Sequence, residues 1–191
     1  MSNMNGLCAW TGAMLFSAAI LSPAAAQTRR EREQPKVDGR LIVEDRAEMF
    51  SPEAVKKAKG ILAEVRDTAA REMNVYTFTE IPESKKKEFA KLESSTQKND
   101  FFHAWAKEEL IGSRGVVVFV CRSPGHVQVF ADKQIRDKGF ANRDEEHVLK
   151  LFLERFKEAK DKPKEEQAAI RDKALLSAAE FVRDEYKKMA R

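Results

Sequence analysis

Apolar and polar positions alternate in three different rhythms along this chain, and each rhythm predicts a different kind of element. Between positions 52 and 73, Val55, Ala58, Leu62, Val65, Ala69 and Met73 recur at intervals of three and four. Lys56, Lys57, Lys59, Glu64, Arg66 and Arg71 fall between them. That spacing gives a helix one apolar stripe and one charged face left to water. Ahead of it, Ser51, Pro52 and Glu53 supply a side-chain cap, a residue whose φ is already helical and a negative charge for the positive helix end. Asn74 is expected to break the helix. The next segment, "VYTFTEI" over 75–81, is rich in β-branched and aromatic residues and stops at Pro82, which predicts a strand.

The second rhythm is an unbroken apolar run. Val116, Val117, Val118, Phe119, Val120 and Cys121 stand between Gly115 and Ser123-Pro124-Gly125, too short for a buried helix. Such a run suits a central strand covered on both faces. Proline followed by glycine suits a tight reversal, one fixing φ and the other accepting a positive φ. Val127, Val129 and Ala131 then alternate with Gln128 and Phe130, the third rhythm, as in a half-covered strand near a sheet edge.

The remaining segments follow the same rules. Leu41, Ile42 and Val43 read as a short extended piece. Residues 83–98 are polar, with Phe89 and Leu92 as anchors, and predict a short exposed helix and then a Ser-Ser-Thr loop. A helix from Asn99-Asp100 to Gly112 places Phe101, Phe102 and Trp105 on one side, as core residues. Asn142 is expected to open another helix, with Glu145 at capping-box spacing and Val148, Leu149, Phe152, Leu153 and Phe156 as a wide apolar face. After Pro163, a last helix from Glu165 to about Met189 carries Ile170, Ala174, Ala178 and Phe181 on one line, with Leu175 and Val182 beside it. The order predicts an α/β fold: a small mixed β-sheet with helices on both faces, an antiparallel hairpin over 115–131 and a long C-terminal helix.

Charge changes the picture at the N-terminus. The first 26 of the 191 residues contain no Lys, Arg, Asp or Glu, so all 35 basic and 31 acidic residues lie beyond them. "CAWTGAMLFSAAIL", then "SPAAAQ", has the length of a secretory h-region followed by a helix breaker and a small-residue cleavage site, although Met1–Gly6 lacks the usual basic residues. The run is shorter than the ~20 residues that span a bilayer. The expected organisation is a signal peptide over 1–26, a charged flexible linker over 27–36, an α/β domain over 37–160 and a C-terminal helix over 161–191 packed on that domain. The protein is then exported, periplasmic or extracellular, with no transmembrane helix in the mature chain.

Candidate chemistry is sparse. The net charge is +4, but cations and acids are interspersed, and the clusters Arg29, Arg30, Arg32 and Lys85, Lys86, Lys87 lack the interleaved aromatics of a nucleic-acid binder. No nucleic-acid partner is expected. His103, His126 and His147 are dispersed without metal-ligand spacing, and no Gly-rich phosphate loop ends in Gly-Lys-Ser/Thr. Ser113 and Ser123 sit in glycine turns, where Ser is common without catalysis, although His126 follows Ser123 closely. With Cys8 inside the signal segment, Cys121 has no disulfide partner and reads as a small buried hydrophobe.

Four segments taken together, "MFSPEAVKKAKGILAEV" preceded by Asp45, "NVYTFTEI", "FFHAWAKEELIGSRGVVVFV" and "HVQVFADKQI", resemble the TPM domain, a family of mostly exported or membrane-tethered bacterial and plastid proteins. The likeness runs roughly from Asp45 to Phe156. It departs at Glu72-Met73, where many members carry Thr-Gly, and at "ADKQI", where many carry a glycine-rich turn. The resemblance implies an envelope binding or accessory module for an unidentified envelope protein or ligand, with a divalent cation such as Ca2+ or Mg2+. Its alternative is a metal-assisted acid phosphatase, a phosphomonoesterase. Either would draw on a carboxylate site, carried onto Asp45, Asp132 and Asp137. Hard cations favour several converging oxygen ligands, whereas aspartates in turns also serve simply as caps.

Overall fold

A computed structural model describes residues 37–67 and 71–190. The signal peptide and linker expected over 1–36 lie outside the described residues. The chain opens with β1 (Val37–Asp38) and β2 (Arg40–Asp45), followed by α1 (Pro52–Ala63), β3 (Arg66–Asp67) and β4 (Glu72–Glu80). Two helices, α2 (Glu83–Phe89) and α3 (Ser95–Glu109), lead to the hairpin of β5 (Val116–Ser123) and β6 (His126–Ala131). The chain ends with α4 (Lys133–Asp137), α5 (Asn142–Lys160) and α6 (Lys164–Met189).

The main sheet has the order β2-β4-β5-β6. β2, β4 and β5 are parallel, with Val43 beside Val75 and Val75 beside Val118, whereas β6 runs antiparallel to β5 with Val118 opposite Val129. The two-residue connection Pro124-Gly125 forces the antiparallel step, and helical crossovers produce the parallel ones. Its Ser123-Pro124 bond is cis and Gly125 has φ 80°. β1 and β3 form a separate antiparallel pair.

Alternation along β4 and β5 sends side chains into two cores. On one face Met73, Val75, Val116, Val118 and Val120 meet Leu62 of α1, Val148 and Phe152 of α5, and Ala174, Leu175, Ala178 and Val182 of α6. On the other, Phe78, Phe119 and Cys121 meet Phe101, Phe102 and Trp105 of α3. The mixed sheet, its helices on both faces, the antiparallel hairpin and the long last helix are those expected from the sequence. The three rings of α3 are core, as their spacing required. Cys121 is buried too, its Sγ donating to the Ser123 carbonyl at 3.0 Å, and burial pushes its thiol up to about 11.

Several boundaries differ. α1 ends at Ala63, and Met73, expected at the end of its stripe, lies in β4, which begins at Glu72 before Asn74. Arg71, expected in water, is 2 % exposed, ion-paired with Asp67 and set over the Tyr186 ring. Ser94-Ser95-Thr96 is no loop: Ser94 caps α3 by accepting from the Gln97 N–H, while Gln97 accepts in return from the Ser94 N–H. At α5 only one half of this exchange is made, one residue earlier than expected, because the N-cap Ala141 has no side-chain acceptor. Asp144 accepts from the Ala141 N–H at 2.7 Å, and Glu145 pairs instead with Arg136 at 2.8 Å.

Candidate functional site

Parallel strands leave a crevice at their carboxyl ends, where open α/β sheets most often hold ligands. Here that edge is formed by the ends of β2, β4 and β5 together with the hairpin turn. Asp45 closes β2. Its Oδ1 accepts from the Met49 N–H at 2.9 Å and from the Thr77 hydroxyl at 2.5 Å, and its Oδ2 accepts from the Phe50 N–H at 2.8 Å. Thr77, beside it in β4, accepts in turn from the Ala47 N–H at 3.0 Å. These bonds wind residues 46–50 into a tight approach to α1, in which Glu48 has φ 50°. Ser51 then caps α1, accepting from Ala54 N–H at 3.1 Å, and donates its own N–H and hydroxyl to Asp172 of α6 at 2.8 and 2.7 Å. The loop is thereby fixed from both sides.

Beyond this loop lies a cavity of about 710 Å³ between the hairpin turn, the end of α5 and the start of α6. That volume falls in the ~300–1,000 Å³ range of small-molecule sites. Its walls are apolar: Met49 from the loop, Val120 and Val127 from the hairpin, and Leu153, Phe156 and Ala159 from α5. Residues 153, 156, 157 and 160 share one side of α5 because helical neighbours recur every three or four positions. Leu153 is 47 % exposed, more than any other large apolar side chain among the described residues except Ile111.

Four cations also line this cavity, Arg122, Lys157, Lys160 and Arg171, with no Asp or Glu among the described residues that line it. Lys157 and Lys160 complement the negative end of the α5 dipole, an ordinary surface role. Arg122 and Arg171 come from other elements. Arg122 donates to the Ala47 carbonyl at 3.0 Å. Arg171 donates to the carbonyl and to Oε1 of Gln167, both at 3.2 Å, and Gln167 donates to the Lys162 carbonyl at 3.0 Å. Each arginine is thus held by neutral acceptors, and neither makes an ion pair among the described residues. His126 borders the cavity, its ring stacked on Phe102 at 3.9 Å and 9°. Burial lowers it to about 4, so it is neutral at ordinary pH.

The three carboxylates expected to share a cation do not converge. Asp45 stands level with Thr77 and, through it, with Val120. Asp132 is at the other end of the strands. It caps α4, accepting from Ile135 N–H at 2.8 Å, and its Oδ2 accepts from the N–H of Gly115 at 2.6 Å. Gly115 precedes Val120 by five positions, about 16 Å of strand rise. Asp137 is exposed and pairs with Lys133 at 2.6 Å. One ion cannot reach Asp45 and Asp132 together, so the shared site that a metal-assisted phosphatase would need is not formed by this pair. Among the described residues no three His, Cys, Asp or Glu side chains gather to hold a metal ion. Nor is any described helix long and apolar enough to cross a membrane.

Sequence reasoning missed the cavity. Its lining spans positions 49 to 171, and only the i, i+3, i+4 placement of Leu153, Phe156 and Lys157 was visible in the chain. No protein-family model, curated protein or solved structure matches this chain.

Proposed function

We propose that the protein is a binding module of the cell envelope, exported as the N-terminal segment and the likeness to the TPM domain imply, and that its ligand occupies the cavity beside the hairpin turn. One observation carries this reading: apolar walls and four cations share a single space of about 710 Å³, with no acid among the described residues that line it. Apolar surface and uncompensated charge both become cheaper to maintain when an apolar anion covers them. Asp45 acts at this site through the loop it winds, which sets Met49 in the cavity wall.

The test uses 1-anilinonaphthalene-8-sulfonate, an apolar organic anion whose emission rises on transfer from water. The folded full chain is expected to bind it at about one equivalent. Leu153→Glu, on an exposed position that tolerates a charge, should weaken binding roughly tenfold while leaving the thermal unfolding midpoint nearly unchanged. Equal binding by the variant, or none by the native protein, would end the proposal.

A further inference from the structure

The chemistry of the cavity narrows the ligand further, provided the binding reading above holds. We infer that its occupant is a single-chain amphiphile with a carboxylate head, a long-chain fatty acid. The acyl chain would lie against Met49, Val120, Val127, Leu153 and Phe156, and the carboxylate would meet Arg171 and Arg122, with Lys157 and Lys160 adding positive potential. Three features favour this occupant over others.

The first is charge. Arg122, Lys157, Lys160 and Arg171 have no carboxylate partner within ion-pair distance among the described residues, whereas of the other described arginines only Arg114 lacks one. A cationic or neutral ligand would leave those charges as they are. A carboxylate accepts two parallel hydrogen bonds from a guanidinium, the strongest pairing available to it. Arg171 is already positioned by Gln167, so less side-chain freedom is lost when an anion arrives.

The second feature is the apolar wall. Inorganic phosphate, sulfate or a sugar acid would satisfy the cations but leave Leu153 and Phe156 wet. Hydrocarbon removes that surface from water at roughly 25 cal/mol per Å². The third is size. A folded protein partner needs about 800 Å² of its own surface in contact, whereas this is a local space between one turn and two helix ends. A slender chain fits such a space without requiring a wider interface.

Displacement of bound 1-anilinonaphthalene-8-sulfonate from the full chain tests the inference, with all lipids kept below their critical micelle concentrations. Palmitate should displace the dye at low micromolar concentration. Hexadecyltrimethylammonium, of equal chain length and opposite charge, should need at least about tenfold more, as should palmitate acting on Arg171→Gln. Acetate and inorganic phosphate should not displace it. Lys57→Gln, at an exposed position of α1 that does not line the cavity, should behave as wild type. If the dye binds, Leu153→Glu weakens that binding about tenfold, and palmitate still fails to compete, the cavity is a binding site but not for a fatty acid. Equal potency of hexadecyltrimethylammonium and palmitate, or an unchanged palmitate affinity in Arg171→Gln, would refute the role of the head group. Absence of dye binding to the native chain would remove the site and this inference together.

Discussion

A single hydroxyl joins the last helix to the two central strands. Tyr186 donates to the Glu72 carbonyl at 2.6 Å and accepts from the Val116 N–H at 3.1 Å, fully buried. Burial pushes its ionisation far above the usual phenol range, so it remains a donor. Beside it Gly115 has φ 76°, and a Cβ there would stand 1.8 Å from the Glu72 oxygen, a space only glycine fits. Tyr186→Phe leaves the Val116 N–H buried and unpaired, which costs about 1–3 kcal/mol. Urea unfolding with an unchanged slope should show that loss, and a variant as stable as wild type would mean the hydroxyl is dispensable. His126 gives a second prediction at this scale. Its folded value of about 4 lies below the ordinary 6.5. As pH falls through that interval the unfolded chain binds a proton that the folded chain refuses, so stability contributed by the neutral ring is full above pH 6.5 and is lost towards pH 4. His126→Gln should therefore flatten the dependence of unfolding free energy on pH between 7 and about 4.5. Parallel curves for the two proteins would show that the ring is not kept neutral.

At the scale of elements, the same chemistry separates what was legible in the chain from what was not. Periodicity marked α1, α5, α6 and the hairpin because each must bury one face or both, and burial leaves its rhythm in the sequence. Junctions were less legible, since Met73 continues the helical spacing of α1 yet is claimed by β4, where pairing with Leu41 and Val116 outweighs local pattern. Ser94 was overlooked as a cap because Thr96 and Lys98 carry no apolar rhythm, although Gln97 stood at the right spacing. Asp45 was legible as an acidic residue before a helix, and its neighbours in space explain why it is there. Replacing Asp45 with Ala removes the acceptor of the Met49 and Phe50 N–H groups and of the Thr77 hydroxyl. That should lower stability by about 2–4 kcal/mol. The thermal midpoint of the wild type should not change with EDTA or with added calcium. A midpoint that falls on chelation and recovers with the ion in the wild type, but not in Asp45→Ala, would instead make Asp45 a ligand.

For the whole molecule, the question is whether α6 is an appendage or part of the core. Its sequence shows an apolar line and no more, which would suit packing on the domain or on a partner. In the fold Ile170, Ala174, Leu175, Ala178, Ala179, Val182 and Tyr186 are all buried. The helix lies against α1 and α5, and Asp172 ties it to the start of α1. It also supplies Arg171 and Gln167 to the cavity, so the candidate site depends on a segment more than a hundred residues from Met49. No local pattern could have disclosed that juxtaposition, which exists only once the helix has docked. Burying Ile170, Leu175 and Val182 contributes about 5–9 kcal/mol, at ~1.5–3 kcal/mol for each large aliphatic side chain. Whole domains are stable by only about 5–15 kcal/mol. A chain ending at Lys160 should accordingly lose cooperative unfolding, bind 1-anilinonaphthalene-8-sulfonate diffusely through exposed core, and show no single melting transition by circular dichroism. Retention of a sharp transition within a few degrees of the full chain would place α6 outside the folding unit, and would leave the cavity without one of its walls in the minimal fold.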